Sequence, residues 1–275
     1  MSTQLRMMLG LLGMLAAVVW VAPVAIMVMA SLKPDASVLP EAGSWRALFP
    51  SEITWRNYSD MLSRSDFWRL ALNSLLIVGG IVAGGVIVNG LCGYALARLR
   101  WPGRSLVMGA VLALLVLPLE SIAVPLFHQA TRLGWRDTYT VQIVPFVANA
   151  LSIHLFYSFF AGLPRELEES ARLDGAGPWR TLWSVILPNA RPVLATVTIV
   201  NFLLYWGLYI WPLLVTSGPD VRPLPLGLAV FRTLPPLQWG DLMAFAVAMV
   251  APVIVVFLVF QRWFVRGVAA TGRKG

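Results

Sequence analysis

Six long apolar stretches occupy much of this chain, and they restrict its fold more than any other feature. They cover residues 9–30, 75–97, 105–124, 140–160, 192–214 and 242–260. Each has about the 20 residues that an α-helix needs to cross a bilayer. Open backbone is excluded from lipid, and no period-two alternation indicates a barrel. The sequence therefore predicts an all-α polytopic membrane protein, a single transmembrane domain of six helices over residues 1–275.

The composition agrees with a lipid environment for much of the surface. Apolar residues make up 58% of the chain and charged residues 12%, whereas soluble domains have about 25% charged residues. The single cysteine, Cys92, excludes a disulfide framework. A net charge of +8 raises the question of nucleic acid. Because the basic residues cluster between apolar stretches, we assign them to cytoplasmic loops and expect no nucleic-acid partner.

Basic residues also set the expected orientation. The loop after the second stretch holds Arg98, Arg100 and Arg104 and no acid, which places it in the cytoplasm. With six spans, both termini are then cytoplasmic. The first stretch resembles a signal peptide, since Arg6 precedes it and Val28–Ala30 weakly resembles a cleavage site. It is longer than the roughly 7–15 residues of a signal core, so we expect it to be retained as a span.

The first outer loop, residues 33–72, is long and contains Trp45, Trp55, Tyr58 and Trp68. Aromatic residues of this kind anchor a protein at the membrane interface. They also suit a surface that docks an extracytoplasmic partner. The residues leave both interpretations open.

The polar segment of residues 165–188, between the fourth and fifth stretches, predicts two short helices joined by a sharp turn. Pro164 can start the first helix, in which Glu168 and Arg172 are spaced to pair. The run Gly175–Pro178 then ends it. The second helix presents one apolar face of Trp179, Leu182, Trp183 and Ile186. Such a segment suits either a groove on another protein or the lipid interface.

Polar side chains inside the apolar stretches are candidates for a solute path. Polar groups at membrane depth are costly and tend to face the helix bundle or a cavity. The candidates are Asn201, Tyr205, Trp206, Tyr209, Asn149 and Glu120. Interhelical hydrogen bonding is the alternative role for the amides. Gly80 and Gly84 form a small-xxx-small pair that permits close helix approach.

Motifs for catalysis and nucleotide binding are missing from the sequence. It has no Gly-x-x-x-x-Gly-Lys-Ser/Thr phosphate loop, no His-Glu-x-x-His and no Gly-x-Ser-x-Gly. We therefore expect no catalytic residues. His128 and His154, without a cysteine cluster, are too few for a convincing metal site, so we expect no metal.

The segment from Glu169 to Pro188 resembles the coupling motif of permease subunits of ATP-binding-cassette importers. The matching positions are Glu169, Ala171, Gly175, Leu187 and Pro188. The runs Asn89–Arg104, Asp174–Trp179 and Gln261–Gly267 are similar to the carbohydrate branch, in particular the maltose-type second permease. One departure is that Gly207 follows Trp206 where the family often has Asn, which removes an amide from the expected solute path.

This resemblance implies a permease of the bacterial inner membrane that forms half of a translocation path and contains no ATPase. The expected partners are a homologous permease, two ATPase subunits, an extracytoplasmic solute-binding protein and membrane lipid. ATP and Mg would be bound by the ATPase subunits, so we expect no cofactor in this chain. The implied ATPase contacts are Glu169, Ser170, Ala171, Asp174 and Gly175.

The expected solute is a mono-, di- or oligosaccharide. A permease of the same type for a non-sugar solute such as glycerol phosphate is the alternative. A stand-alone secondary transporter is less favoured, because most of the apolar stretches have no acid or base near the middle.

Overall fold

The computed structural model describes residues 3–271, and all regular structure within them is helical. This confirms the predicted all-α class. The helices are α1 (Thr3–Ser31), α2 (Asp35–Glu41), α3 (Arg56–Arg64), α4 (Phe67–Arg98), α5 (Arg104–Leu114), α6 (Leu119–Arg132), α7 (Tyr139–Val147), α8 (Ala150–Ala161), α9 (Glu166–Leu173), α10 (Pro178–Thr181), α11 (Leu187–Asn189), α12 (Arg191–Trp206), α13 (Ile210–Val215), α14 (Leu224–Phe231) and α15 (Trp239–Thr271). A 3₁₀ turn covers Trp45–Ala47, and a π-helical turn covers Leu182–Ile186.

Some of the sequence interpretation falls outside this description. The side chains of Arg6 and of residues 261–271 lie outside the described residues, as do residues 272–275 entirely. The basic run Gln261–Gly267, which contributes to the family resemblance, is therefore described by its backbone alone.

The helices group into two compact units. The first comprises the residues up to Arg69 together with Leu224–Pro252, and the second comprises Leu70–Pro223 with the residues from Val253 onward. The polar segment of residues 165–188 lies within the second unit. All six solute-path candidates named above lie there too.

The described residues contain four helices that are long and apolar enough to cross a bilayer. They are Met7–Ser31, Phe67–Arg98, Tyr139–Ala161 and Trp239–Phe260. Two bent helix pairs raise the number to six if each pair is one span: Arg104–Leu114 with Leu119–Arg132, and Pro178–Asn189 with Arg191–Trp206. The six-span topology and its orientation stay predictions.

The third apolar stretch is not the continuous helix that the sequence predicts over residues 105–124. Helix α5 ends at Leu114 and α6 begins at Leu119, with a bend of 105° between them. The cause is Pro118, which has extended backbone angles at the start of α6 and disfavours helix in the residue before it.

The fourth and fifth stretches are also interrupted. Between α7 and α8 the backbone is extended at Ala148 and Asn149, and the Asn149 side chain accepts a hydrogen bond from the Ser152 amide at 3.0 Å, which caps α8. The fifth stretch, predicted over residues 192–214, contains α12 and α13, separated by Gly207–Tyr209. These breaks provide backbone groups and polar side chains inside apolar sequence.

Close helix contacts in the second unit depend on small residues of α4. A Cβ atom added to Gly80 would lie 2.8 Å from Ile143, and one added to Gly84 would lie 3.1 Å from Val147, both on α7. This confirms that the small-xxx-small pair permits close approach. Gly93 is tighter still, because an added Cβ would lie 2.5 Å from the Cβ of Phe156.

The first unit contains the predicted outer loop, which is folded by buried polar contacts. Asn57 donates hydrogen bonds to the carbonyls of Ser31 and Lys33, at 2.8 and 2.7 Å. Lys33 pairs with Glu41 at 3.0 Å, and the Lys33 side chain is only 2% exposed. Arg64 pairs with Asp241 at 2.6 Å. The tryptophans Trp45, Trp55 and Trp68 stay exposed, so both interpretations of this aromatic surface still stand.

We predict that Gly93→Ala destabilises the chain. The added methyl group would overlap the α8 backbone, where the amide nitrogen of Tyr157 is 2.9 Å away, and overpacking of this kind costs about 1–3 kcal/mol. The measurement is the melting temperature in detergent.

Gly79→Ala is the matched control, since a Cβ at Gly79 meets nothing within 4 Å. It should leave the melting temperature unchanged or raise it slightly, because alanine favours helix more than glycine does. Equal melting temperatures for the two variants would contradict the packing described here.

Candidate functional site

The polar segment forms a helix, a glycine turn and a second helix, as the sequence predicts. Helix α9 ends in a Schellman motif: the Gly175 amide donates to the Arg172 carbonyl at 3.0 Å, and the Ala176 amide donates to the Ala171 carbonyl at 2.9 Å. Gly175 has φ of +73°, in the left-handed region that glycine adopts without strain. A specific backbone requirement therefore accounts for glycine at this position.

The outer side of this turn carries most of the residues that the resemblance implies as ATPase contacts. Glu169, Ser170, Asp174 and Gly175 are exposed. Ala171 differs, because it is buried on the inner face of α9 beside Glu168. Its side chain therefore packs within this chain, and only its position on the helix bears on the exposed surface. We call the exposed residues of α9, the turn and α10 the knob surface.

The apolar face predicted for the second helix is divided. Leu182 and Ile186 are buried, whereas Trp179 and Trp183 are 65% and 63% exposed. A π-helical turn covers Leu182–Ile186, and the two tryptophans lie toward the outer side of the segment. Leu173, at 89% exposure, adds a further apolar side chain to the knob surface.

A buried ion pair joins α9 to the end of α4. The Nε of Arg98, the last residue of α4, lies 3.5 Å from Oε1 of Glu168, and the two side chains are 4% and 8% exposed. The Arg98 guanidinium also donates to the Leu163 carbonyl in the loop after α8. On the outer side, Arg172 approaches Glu168 at 3.8 Å, as its spacing predicts, but is 68% exposed. We call Arg98, Glu168 and the Leu163 carbonyl the junction.

The junction is costly to disrupt from one side. Removing one partner of a buried pair leaves an uncompensated charge and typically costs about 3–5 kcal/mol. Exposed pairs such as Arg172 with Glu168 contribute about 0–1 kcal/mol. The inner arginine thus fixes α9 more firmly than the outer one does.

An apolar core beside the junction joins the second part of the polar segment to the long helices. Leu182 and Ile186 pack in one cluster with residues of α4, α8 and α12. The buried members from those helices are Tyr94, Ala97, Phe156, Phe160, Val193 and Val197. Tyr94 and Phe160 meet edge to face with ring centroids 5.8 Å apart. Both parts of the polar segment are therefore attached to the ends of the apolar helices.

The amides among the solute-path candidates take part in hydrogen bonds between helices. The Asn201 side chain, 1% exposed, accepts from the Ser152 hydroxyl at 3.0 Å. The Asn149 side chain donates to the Tyr205 hydroxyl at 3.0 Å, and the Asn149 backbone amide donates to the Asn89 side-chain oxygen at 2.9 Å. These contacts show a packing role for both amides. A solute contact by either stays a prediction.

The remaining candidates separate into two groups. Tyr205 and Trp206 are buried and line a small cavity. Tyr209 is 37% exposed and sits at the start of α13, outside this lining. Glu120 is exposed in the first turn of α6 and also does not reach it. The structure therefore brings together two of the aromatic candidates and leaves Glu120 apart.

Sequence reasoning missed Gln142, which lines the same cavity. Its side chain is 1% exposed and donates to the Val221 carbonyl at 2.8 Å. Its Oε1 atom has no hydrogen-bond partner among the described residues. The cavity is also lined by Ser74, Trp211 and Pro223, and its volume of about 10 Å³ for the centre of a water molecule admits about one water. A glutamine inside an apolar stretch was the available signal.

Residues 89–270 of the chain match the family described as binding-protein-dependent transport system inner membrane component. A relative of similar length is the sn-glycerol-3-phosphate transport system permease protein of Yersinia pestis bv. Antiqua (strain Antiqua), 34% identical over 80% of this chain and 81% of the relative. The diacetylchitobiose uptake system permease protein of Streptomyces coelicolor is also 34% identical, over 89% of this chain and 81% of the relative.

Two further comparisons cover nearly the whole chain. The arabinooligosaccharides transport system permease protein of Bacillus subtilis (strain 168) is 28% identical over 98% of this chain and 96% of the relative. A chain of a bacterial ABC transporter involved in the import of the acidic polysaccharide alginate matches with a TM-score of 0.82 and 24% identity. It covers 96% of this chain and 99% of that chain, which shows a shared fold.

We predict that Gly175→Val impairs solute uptake by the reconstituted transporter while leaving membrane insertion intact. A β-branched residue at φ of +73° is strained by roughly 1–2 kcal/mol, which would distort the turn that displays the knob surface. The measurement is the uptake rate per inserted protein.

Gly109→Val is the control, because Gly109 lies in α5, away from the knob surface, and an added Cβ there meets nothing within 4 Å. Uptake by this variant should stay near that of the unmodified chain. Normal uptake by Gly175→Val would show that the turn geometry does not matter for transport.

Proposed function

Because the chain belongs to the family of binding-protein-dependent transport system inner membrane components, we propose that it is the permease subunit of an ATP-driven sugar importer. It forms half of the translocation path and receives the motion of an ATPase through the knob surface. The solute is a mono-, di- or oligosaccharide. Both termini lie in the cytoplasm, and the knob surface faces the same side.

One observation carries this proposal. The segment that resembles the family's coupling motif is exposed on one side and attached by its other side to the long apolar helices. Glu169, Ser170, Asp174 and Gly175 lie at the surface, while Glu168, Leu182 and Ile186 are buried. A surface loop without a mechanical role would not need the buried ion pair of Arg98 with Glu168 or the apolar core around Leu182 and Ile186.

The proposed partners are a homologous permease, two ATPase subunits and an extracytoplasmic solute-binding protein, all within or against the inner membrane. The ATPase subunits hold ATP and Mg and perform the hydrolysis, because this chain has no phosphate loop. The chain itself uses no cofactor. Exposed apolar residues such as Leu173 and Trp179 would be covered when an ATPase subunit binds the knob surface.

The contacts at the base of the knob surface provide the route for motion. Closure of the ATPase pair displaces α9, and the junction passes that displacement to α4 through Arg98. Leu182 and Ile186 pass it to α8 and α12 through the shared core. Packed interiors transmit strain because they have few voids. The cavity walls at Tyr205 and Trp206 belong to α12, so the same motion reaches the proposed solute path.

The cavity admits only about one water in this structure, but the chemistry of its walls suits a sugar better than an anion. The lining residues are Ser74, Ile77, Val78, Ile81, Gln142, Tyr205, Trp206, Leu208, Trp211, Pro212 and Pro223. All are uncharged, whereas recognition of a phosphate group uses Arg or Lys. Aromatic rings and a few polar groups suit a hydroxyl-rich solute.

Glycerol phosphate is the second candidate solute. The observation in its favour is the 34% identity to the sn-glycerol-3-phosphate permease of Yersinia pestis. The uncharged lining weighs against it for this chain.

The test of the proposal is uptake into proteoliposomes that contain the permease pair and ATPase subunits, with the binding protein outside. We expect ATP-dependent uptake of a radiolabelled oligosaccharide, which excess sn-glycerol 3-phosphate does not compete. Competition by glycerol phosphate would replace the solute class. Uptake that follows an ion gradient without the ATPase subunits would overturn the importer proposal.

We predict that Glu169→Lys weakens binding of the ATPase subunits about tenfold or more, equivalent to about 1.4 kcal/mol. It reverses a charge on the exposed face of α9. The measurement is the affinity of the ATPase subunits for the permease pair in nanodiscs. Glu166→Lys makes the same charge change at an exposed residue one turn earlier, and it should have a smaller effect. If both variants weaken ATPase binding equally, the loss reflects the change in net charge and the specific contact at Glu169 is contradicted.

A further inference from the structure

The backbone of residues 216–223, which follow α13, is held by side chains from other parts of the second unit. Asn73 of α4 donates to the carbonyls of Asp220 and Arg222, each at 2.9 Å. Gln142 of α7 donates to the carbonyl of Val221 at 2.8 Å. We call residues 216–223 the outer loop strap, and it is distinct from the earlier loop of residues 33–72.

The loop before α7 supplies further contacts to the strap. Asp137 accepts hydrogen bonds from the amides of Ser217 and Gly218, and its own amide donates to the Val215 carbonyl at 3.0 Å. These amide donors, Ser217 first, hold the pKa of Asp137 below its ordinary value, so the carboxylate stays an ionised acceptor. Asp137 has φ of +55°, which is uncommon outside glycine. The hydrogen bonds between Asp137 and the chain at Val215–Gly218 hold the Asp137 backbone in this conformation.

The holding side chains are themselves fixed. The Tyr139 hydroxyl donates to the side-chain oxygen Oδ1 of Asn73 at 2.7 Å, so both the nitrogen and the oxygen of the Asn73 side-chain amide form hydrogen bonds. Asn73 and Gln142 are each 1% exposed. The strap contains Gly218, Pro219 and Pro223, which do not favour regular structure. Its conformation is held by hydrogen bonds with Asn73, Asp137 and Gln142, which we call the clamp residues, together with the burial of Val221 and Pro223.

The strap borders the cavity described above. Pro223, its last residue, and Gln142, a clamp residue, both line that cavity with Tyr205 and Trp211. The Nε2 atom of Gln142 donates to the strap, while its Oε1 atom is buried with no hydrogen-bond partner among the described residues. One amide thus bonds the strap and presents a free acceptor at the lining of the cavity.

We propose that the outer loop strap is the outer gate of the solute path, held closed in this structure by the clamp residues. This proposal rests on the proposed function and its orientation. Opening breaks the bonds from Asn73, Asp137 and Gln142 to the strap. The freed Gln142 amide then offers a donor and an acceptor to a solute hydroxyl.

The clamp is suited to a gate because its bonds are exchangeable. Hydrogen bonds from side chains to loop backbone are replaced by bonds to water on opening, so their net contribution is modest. A ligand or partner can shift such an equilibrium through its different affinity for the two states.

The test is hydrogen–deuterium exchange of the assembled importer in nanodiscs, without nucleotide and after trapping with ATP and vanadate. In the resting complex, we expect the Ser217 and Gly218 amides to exchange slowly. Trapping should raise their exchange at least tenfold as the gate opens. Equal exchange in an assembled complex that hydrolyses ATP would overturn the gate and leave the proposed function standing. Failure to assemble with an ATPase would overturn both.

Variants link the gate to the clamp residues. Asn73→Ala should raise exchange of the strap in the resting complex toward the trapped level, and Tyr139→Phe should do so to a smaller extent. Asp137→Asn, at an exposed side chain, provides a milder second variant in case Asn73→Ala fails to fold. Thr131→Val, which removes an exposed hydroxyl bond within α6, is the control and should change nothing in the strap. Unchanged exchange in folded Asn73→Ala and Asp137→Asn would also overturn the proposal.

Discussion

The ion pair between Arg98 and Glu168 is the contact on which the coupling segment depends. It joins the end of the longest helix of the second unit to the first helix of the knob surface. Arg98 also donates to the Leu163 carbonyl, so one guanidinium joins the end of α4 to two other segments. A planar guanidinium with several donors serves such a position better than lysine does. Its burial makes it costly to break from one side, and this gives the knob surface a fixed orientation.

Helix α4 connects this junction to the proposed outer gate. Asn73 lies near its start and Arg98 at its end, and 25 residues of α-helix span about 37 Å. The small residues Gly80, Gly84 and Gly93 place α7 and α8 directly against it. Displacement of Arg98 would thus move the whole of α4 together with α7 and α8, since these close-packed helices leave little room for independent movement. The two ends of one helix serve the two proposed functional parts.

Much of the fold could be predicted from the sequence because lipid admits few structures. The apolar stretches fix the all-α class, and Gly175 with Pro178 fixes the turn after α9, since these signals are local. The break at Pro118 is also a local signal, but the apolar residues around it favour a continuous span in a reading of hydropathy. The π-helical turn over Leu182–Ile186 has no such marker, and spacing alone does not show that Trp179 and Trp183 stay exposed while Leu182 and Ile186 are buried.

The polar contacts of the second unit could not be predicted in the same way. Asn201 bonds Ser152, and Asn73 bonds the backbone near Asp220. Partners so far apart in the chain are set by tertiary packing, and spacing carries no information about them. The same holds for Arg98, whose basic charge indicates only orientation until Glu168 is placed beside it. Sequence therefore identifies polar residues at membrane depth but does not separate packing from solute contact.

The central claim is that the junction transmits ATPase motion, and its most direct test is the number of solute molecules imported per ATP hydrolysed. We expect Arg98→Gln and Glu168→Gln each to lower this ratio several-fold in assembled importers, and Arg172→Gln, at the exposed side of the same carboxylate, to leave it nearly unchanged. The double variant Arg98→Gln/Glu168→Gln should be no worse than the poorer single variant, because interacting residues are not additive. An unchanged ratio in both single variants, or losses that simply add in the double variant, would contradict the account.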